Sequence, residues 1–394
     1  MGINFTINFE QYQTIDKQGV TQALSDAINI IKHNLTTFTH ASQMHSSVKN
    51  QYQACKNDHW TSGFWPGTIW LAYENSLDDV FKDSNLIQIQ SFHQRIINKV
   101  EIDHHDLGFL YSPSCVSAWK LTKNEQGRES AILAADALIA RYQSKGGFIQ
   151  AWGAMNQLEN YRFIIDCLMN VPLLYWASEE TGDDKYRQIA SVHSRTTLEN
   201  IIREDGSTYH TFFMEPESGK PLRGSACQGF SDDSAWARGQ AWGIYGFALA
   251  YKHEKDKEYL KAFERVAEYF FHHLPDDLVP YWDLNFNNGS NEPRDTSSAS
   301  IAACGLLEMA DLVDNEKAAL YRSIAKKLIY SIYNSYAVKN IDQSNGLVLH
   351  GTYSKKTPFN TCDEEGVDEC VSWGDYFYME ALTRLNKDWD SYWG

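Results

Sequence analysis

Apolar residues recur at three- and four-residue steps through most of this chain. In "VTQALSDAINIIKHNL", Val20, Leu24, Ala27, Ile28 and Ile31 fall on one face, the signature of an amphipathic helix. "ESAILAADALIARYQ" and "KAALYRSIAKKLIYSIY" follow the same rule. Runs that alternate every second residue are scarce. "LVPYWDLNF" and "STYHTFFM" are the two short candidates for strands.

A weak internal repeat organises these helices. "WLAYENSLDDVF", "YWASEETGDDKY" and "ALAYKHEKDKEY" each end an apolar helix, turn through polar residues and begin another. Ala72, Ala177 and Ala250 precede Phe81, Tyr186 and Tyr259 by the same interval, and "LLEMADLVDNEKAALY" is a looser copy. A helix–turn–helix unit cannot bury its own apolar face, so such units pack side by side. The copies are spaced more widely than the roughly 34–47 residues of helical solenoids. That favours about a dozen helices closed into a barrel of hairpins, with long aromatic-rich insertions over one end. The predicted class is all-α with a few short strands.

Composition narrows the picture. The chain has 394 residues, 43% of them hydrophobic, enough for a large core. No Pro/Gly/Ser-rich linker divides it. One domain over residues 1–394 is expected, with 1–17 as an N-terminal extension. "MGINFTINFEQYQ" lacks the basic start and apolar run of a secretory signal. The seven cysteines are scattered without a CxxC pair, which suits a reduced, cytoplasmic setting. The net charge of −16 makes nucleic acid and membrane surfaces poor partners. An anionic small substrate would need a local cationic pocket.

Four clusters carry candidate chemistry. "HWTSGFWPGTIW" holds Trp60, Phe64, Trp65 and Trp70 among glycines; it reads either as a core plug or as a platform for a sugar ring. In "EIDHHDLGFLY", Asp106 follows His104 and His105 at a helix start. It is either an N-cap or an acid beside a pocket; adjacent histidines with no further ligand cluster argue against a metal. In "YRFIIDCLMN", Asp166 is the lone acid before an apolar run. It is either a solvated helix-start carboxylate or a group whose apolar setting raises its pKa for proton donation. In "RGSACQGFSDDSAWARGQAWG", Arg238 and Trp242 are one helical turn apart, with Trp236 and Gln228 upstream. A guanidinium beside an indole suits a carboxylated sugar, or is a surface cation–π pair. No phosphate loop, Ser/His/Asp motif or HExxH occurs, and no cofactor is expected.

Taken in order, "WTSGFWPGTIWLAYE", "DHHDLGFLYSPS", "IIDCLMNVPLLYWASEETGD", "YHTFF", "WARGQAWGIYGFALAY", "RDTSSASIAACGLLE" and "WGDYFYMEALTRL" resemble glycoside hydrolase family 88, the bacterial unsaturated glucuronyl hydrolases. The resemblance runs from about residue 57 to residue 386. It implies an (α/α)6 barrel acting on oligosaccharides that polysaccharide lyases leave with a C4=C5 unsaturated uronic acid at one end. It implies that Asp106 and Asp166 are the two essential aspartates. Trp60, His105, His210, Gly224, Gln228, Trp236, Arg238 and Trp242 match positions around the pocket. In relatives that take sulfated glycosaminoglycan disaccharides, the stretch matching "LHGTYSKKTPFN" presents Ser, Ser and Lys. Here Ser354 and Lys356 are present and Gly351 replaces the first serine. A second departure is Cys227, where family members carry His before the glutamine. Rival readings are an unsaturated rhamnogalacturonyl hydrolase, a sugar epimerase relying on histidine bases, and a non-catalytic glycan binder; fold alone does not choose among them.

Overall fold

The structure, a computed structural model, describes residues 8–155 and 157–394. Of the expected N-terminal extension, residues 1–7 lie outside the described residues.

Two kinds of helix alternate along the chain. One set is apolar or small-residue on every side: α2 (Phe64–Ser76), α4 (Leu107–Tyr111) running through a π-helical turn at Ser112–Val116 into α5 (Ser117–Thr122), α7 (Cys167–Asn170) continuing as α8 (Pro172–Thr181), α10 (Ala237–Glu254), α12 (Thr296–Ala310) and α14 (Ser372–Asn386). Every residue of α12 is buried, as an all-round apolar helix requires. The other set is amphipathic: α1 (Lys17–Phe38), α3 (Asp79–Ile97), α6 (Glu125–Ile139), α9 (Asp184–Asn200), α11 (Lys257–His272) and α13 (Asn315–Ser335). In α11 only Tyr259, Ala262, Phe263, Val266, Ala267, Phe270 and Phe271 are buried, a single stripe.

The apolar helices form a closed ring. α2 packs on the π turn, α4 on α7, α7 on α10, α10 on α12, α12 on α14, and α14 back on α2. Each amphipathic helix lies outside an inner one, with α1 against α14 and α3 against α2. This is the (α/α)6 barrel.

The turns explain the internal repeat. Leu77, Lys123, Gly182 and Lys255 end inner helices in the left-handed conformation, which closes a helix C-terminus. The next residues, Asp78, Asn124, Asp183 and Asp256, accept backbone N–H groups of the following outer helix. These tight turns occupy one end of the barrel.

The long connections lead from outer to inner helices and occupy the opposite end. They contain all the strands among the described residues: β1 (Ser42–Gln43) with β2 (Ala54–Cys55), β3 (Tyr142–Gln143) with β4 (Phe148–Ile149), β5 (Arg162–Ile164) with β6 (Thr211–Met214) and β7 (Pro221–Ser225), and β8 (Gly351–Ser354) with β9 (Glu365–Glu369). All pairs are antiparallel. The strand expected in "STYHTFFM" is β6. The one expected in "LVPYWDLNF" is not formed; Trp236–Asp283 and Tyr281–Arg294 make only isolated bridges. Leu278 at φ 62° and Pro280, which lacks an N–H, prevent a ladder there.

Candidate active site

The N-termini of the inner helices converge beneath the long connections, and a cavity of about 300 Å³ opens there. It is lined by Trp60, Asp106, Trp152, Asp166, His210, Cys227, Gln228, Tyr353, Ser354, Cys362, Asp363 and Glu365. A larger cavity of about 680 Å³ lies behind His104, lined by Ile96, Lys99, Leu133 and Arg141 among others. Neither Asp106 nor Asp166 borders it; the smaller cavity is the one that brings both acids together.

Asp106 is the residue before α4, and Asp166 is the residue before α7. Neither carboxylate caps its helix; both turn into the cavity. The helix starts are brought together because residue 108 is glycine: a Cβ there would sit 2.3 Å from the Cα of Asn170. Asn170 locks the contact. Its Oδ1 accepts the Phe109 N–H at 2.8 Å, and its Nδ2 donates to the Asp166 carbonyl at 3.3 Å. The β5–β6 pairing sets the other side, since the Ile165 N–H donates to the His210 carbonyl at 3.0 Å.

His105 lies between the two acids. Its Nε2 is 3.2 Å from Asp106 Oδ1 and 3.4 Å from Asp166 Oδ1, and its ring is buried without an aligned hydrogen bond at either nitrogen. Burial pulls its pKa down to about 4, leaving it neutral near pH 7. Both carboxylates are mostly enclosed, with side chains 12% and 14% exposed, yet they are driven in opposite directions. For Asp166, burial and then the Asp106 charge raise the pKa well above the carboxylate range. For Asp106, burial also pushes upward, but His105, His104 and the Asn170 amide together win and hold it below its ordinary value. The two acids are thus pushed apart, Asp166 toward its protonated form and Asp106 toward its ionised one. Donor atoms of His105, Asp106 and Asp166 lie within 4.8 Å of one another, the set among the described residues able to hold a metal ion. With Asp166 pushed toward protonation, that trio is better suited to moving a proton than to binding a cation.

The wall opposite is aromatic. Trp60 stacks on Trp373 at 5.4 Å between centroids and donates its indole N–H to Tyr353 Oη at 3.0 Å. Gln228 Nε2 donates to the Tyr353 carbonyl at 3.2 Å. His210 stands edge-on to Trp236 at 4.8 Å, and burial, reinforced by Arg238 and Arg162, takes its pKa down to about 3.

A model of Glycosyl Hydrolase Family 88 matches residues 30–253. The unsaturated chondroitin disaccharide hydrolase of Streptococcus pyogenes serotype M1 is 45% identical over 388 residues, 98% of this chain and 96% of that protein. The chain belongs to glycosyl hydrolase family 88. The unsaturated glucuronyl hydrolase of Bacillus sp. strain GL1 is 39% identical over 375 residues, 94% of this chain and 98% of that protein. The crystal structure of the Streptococcus agalactiae unsaturated glucuronyl hydrolase superposes with a TM-score of 0.94 at 42% identity, covering 100% of this chain and 99% of that one.

Among the residues that the family 88 resemblance pointed to, Trp60, Asp106, Asp166, His210, Gln228 and Ser354 line the cavity. The others stand elsewhere. Trp236 lies behind His210. Arg238 is buried, sandwiched between the Trp236 and Trp373 indoles at 4.3 and 4.8 Å. Its guanidinium is paired with Asp295 at 2.8 Å and donates to the carbonyls of Thr352 and Tyr353, so it is neither a surface cation–π pair nor a free clamp. Trp242 is buried against Phe109 and Phe377. Five residues past the helix start puts it about 7.5 Å below the rim. Gly224 sits in β7 opposite Phe212, with the Tyr209 ring closing its side. Lys356 is exposed, its amine donating to the Asn360 carbonyl at 3.2 Å. Phe64, Trp65 and Trp70 are core; only Trp60 of that cluster reaches the cavity. Trp152, Tyr353, Cys362, Asp363 and Glu365 were not foreseen as lining residues. They sit in the long connections, where no periodicity marks which side chain turns inward.

Proposed function

We propose that this protein releases the terminal C4=C5 unsaturated uronic acid from lyase-generated glycosaminoglycan disaccharides. The observation that carries the reading is the pair of enclosed aspartates lining one indole-walled cavity, with His105 between them and their pKa values driven in opposite directions. Relatives named for unsaturated chondroitin disaccharides support the substrate class. So does an Asp-to-Asn variant of the Streptococcus agalactiae enzyme solved with dGlcA-GalNAc6S.

The double bond is conjugated with the ring oxygen, so it is an enol ether open to hydration. Protonated Asp166 delivers its proton to C4, and positive charge develops at C5, shared with the ring oxygen. The resulting Asp166 carboxylate takes a proton from water as that water attacks C5. The hemiketal opens, expels the neighbouring sugar and leaves a keto uronic acid. Asp106 stays ionised, holds substrate hydroxyls and keeps the proton on Asp166. Because bond breaking follows hydration, the carboxyl-spacing rule for retaining and inverting glycosidases does not apply. Trp60 offers an indole face to the sugar.

Ser354, in the cavity wall, and Lys356, beyond it, are assigned to sulfate on the leaving sugar. Lys356→Ala lowers turnover of sulfated disaccharides and spares unsulfated ones; equal effects on both remove that assignment. The decisive assay follows the ultraviolet absorbance of the C4=C5 bond on unsaturated chondroitin, hyaluronan and rhamnogalacturonan disaccharides. Loss of absorbance on the glucuronyl substrates alone is expected, with Asp166→Asn inactive but still binding. Turnover confined to the rhamnogalacturonan disaccharide would falsify the reading.

A further inference from the structure

Two cysteines stand side by side in the wall of the cavity. Cys227 and Cys362 both line it, and both are free thiols. The segments that carry them are laced together. The Cys362 N–H donates to the Cys227 carbonyl at 3.1 Å. The Asn360 amide donates to the Gly229 carbonyl at 2.9 Å, and the Thr357 hydroxyl to the Phe230 carbonyl at 2.8 Å. The direct backbone bond between Cys362 and Cys227 holds the two residues' main chains in contact. Disulfides span Cα separations of about 4.4–6.8 Å. The two thiols also sense each other electrostatically: burial, then Cys227, pushes Cys362 up to about 11.

We propose that Cys227 and Cys362 form a reversible disulfide, a modification site in the active-site wall through which a peroxide lowers turnover. Cys227 reacts first, being the more accessible of the two thiols: it is half-buried where Cys362 is buried. Its sulfur attacks one peroxide oxygen, the O–O bond breaks, and water leaves, giving a sulfenic acid. The Cys362 sulfur then attacks that sulfur, forming the S–S bond and expelling a second water. Two thiols and one hydrogen peroxide become one disulfide and two waters; the sulfurs lose two electrons and the peroxide oxygens gain them. A thiol reductant reverses the change.

The consequence reaches substrate through neighbours of Cys227. Its N–H donates to His210 Nδ1 at 3.1 Å, and Gln228 follows it in the wall. Drawing Cys227 toward Cys362 shifts both, and a displacement near 1 Å costs up to about a hundredfold in rate.

The full-length protein is treated with hydrogen peroxide, alkylated and digested, and parallel samples are assayed before and after dithiothreitol. Expected are a Cys227–Cys362 linked peptide and a fall in kcat/KM of roughly tenfold or more, restored by reductant. Cys227→Ser and Cys362→Ser, each scored against its own untreated activity, lose the restorable part. Treated protein without the linked peptide overturns the proposal. So does a linked peptide with unchanged activity, or a serine variant inactivated and restored like the parent. The activity readout rests on the hydrolase reading above; the linked peptide does not, so failure of one is distinguishable from failure of the other.

Discussion

Gly108→Ala tests whether close approach of two helix starts builds the acid pair. The added Cβ would lie 2.3 Å from Asn170 Cα and 2.5 Å from its carbonyl oxygen. Carbon contacts settle at about 3.5–4.0 Å, and neither obstacle is a side chain that can swing away. The start of α4 must therefore part from α7 by roughly 1 Å. Overpacking of this kind costs about 1–3 kcal/mol of stability. Asp106 and Asp166 ride on the parted segments, and a 1 Å misplacement costs about a hundredfold in rate, or roughly 2.7 kcal/mol of barrier. Gly182→Ala is the matched control. It lies in a tight turn at the far end of the barrel, with φ +73° and nothing within 4 Å of a Cβ, and its left-handed backbone costs about 1–2 kcal/mol. Both variants are measured by denaturant unfolding and by loss of C4=C5 absorbance. Comparable losses of stability are expected, with kcat/KM reduced only in Gly108→Ala. If the two variants keep the same activity, the spacing argument fails.

The pH profile of kcat/KM is a bell whose acid limb, set by Asp106, lies below the usual carboxylate pKa and whose alkaline limb, set by Asp166, lies well above it; an alkaline limb near pH 4 refutes the assignment. Asp166 binds its proton more tightly folded than unfolded, so its contribution to stability is complete below the unfolded pKa and is lost as pH rises to the folded one. Asp166→Asn, which cannot ionise, should therefore be more resistant to denaturant than the parent by about 1.4 kcal/mol for each pH unit above the unfolded pKa, up to the folded one, with the difference vanishing in acid. Asn170→Ala strands the buried Phe109 N–H at a cost of about 1–3 kcal/mol and moves the acid limb upward, because Asp106 loses an amide donor; a stationary acid limb removes that role. Asp295→Ala leaves the Arg238 guanidinium buried without its counter-ion and should cost about 3–5 kcal/mol in denaturant unfolding.

The barrel was legible because its hairpins repeat a local device. Phe81, Tyr186 and Tyr259 are all buried at the same step after their turns, and the apolar or one-sided pattern of each helix tells inner from outer. Legibility fades over the other end. Arg238 and Trp242 share a helix face as their spacing says, but spacing does not report what covers that face: Arg238 is committed to Asp295 and Trp242 is packed against Phe109 and Phe377. Tyr353 and Trp152 come from connections whose course is fixed by contacts distant in sequence, such as the bond between Trp60 and Tyr353.

The acids themselves show the limit most sharply. Asp78, Asp183, Asp256 and Asp314 each precede an outer helix, and each accepts a backbone N–H of its first turn. They can do so because their backbones are extended, with ψ between 108° and 163°, the conformation that folds a cap side chain over the helix end. Asp106 and Asp166 also precede helices, but their ψ values are 18° and −5°. The backbone is already turning, and the carboxylate projects away from the helix end. What turns them is tertiary: the glycine contact and Asn170 at α4, and the strand pairing that carries Asp166 past His210. One residue type before a helix thus yields a cap at the outer helices and at Asp295, and a carboxylate turned into the cavity at Asp106 and Asp166. Local sequence does not separate the two; the closure of the ring does.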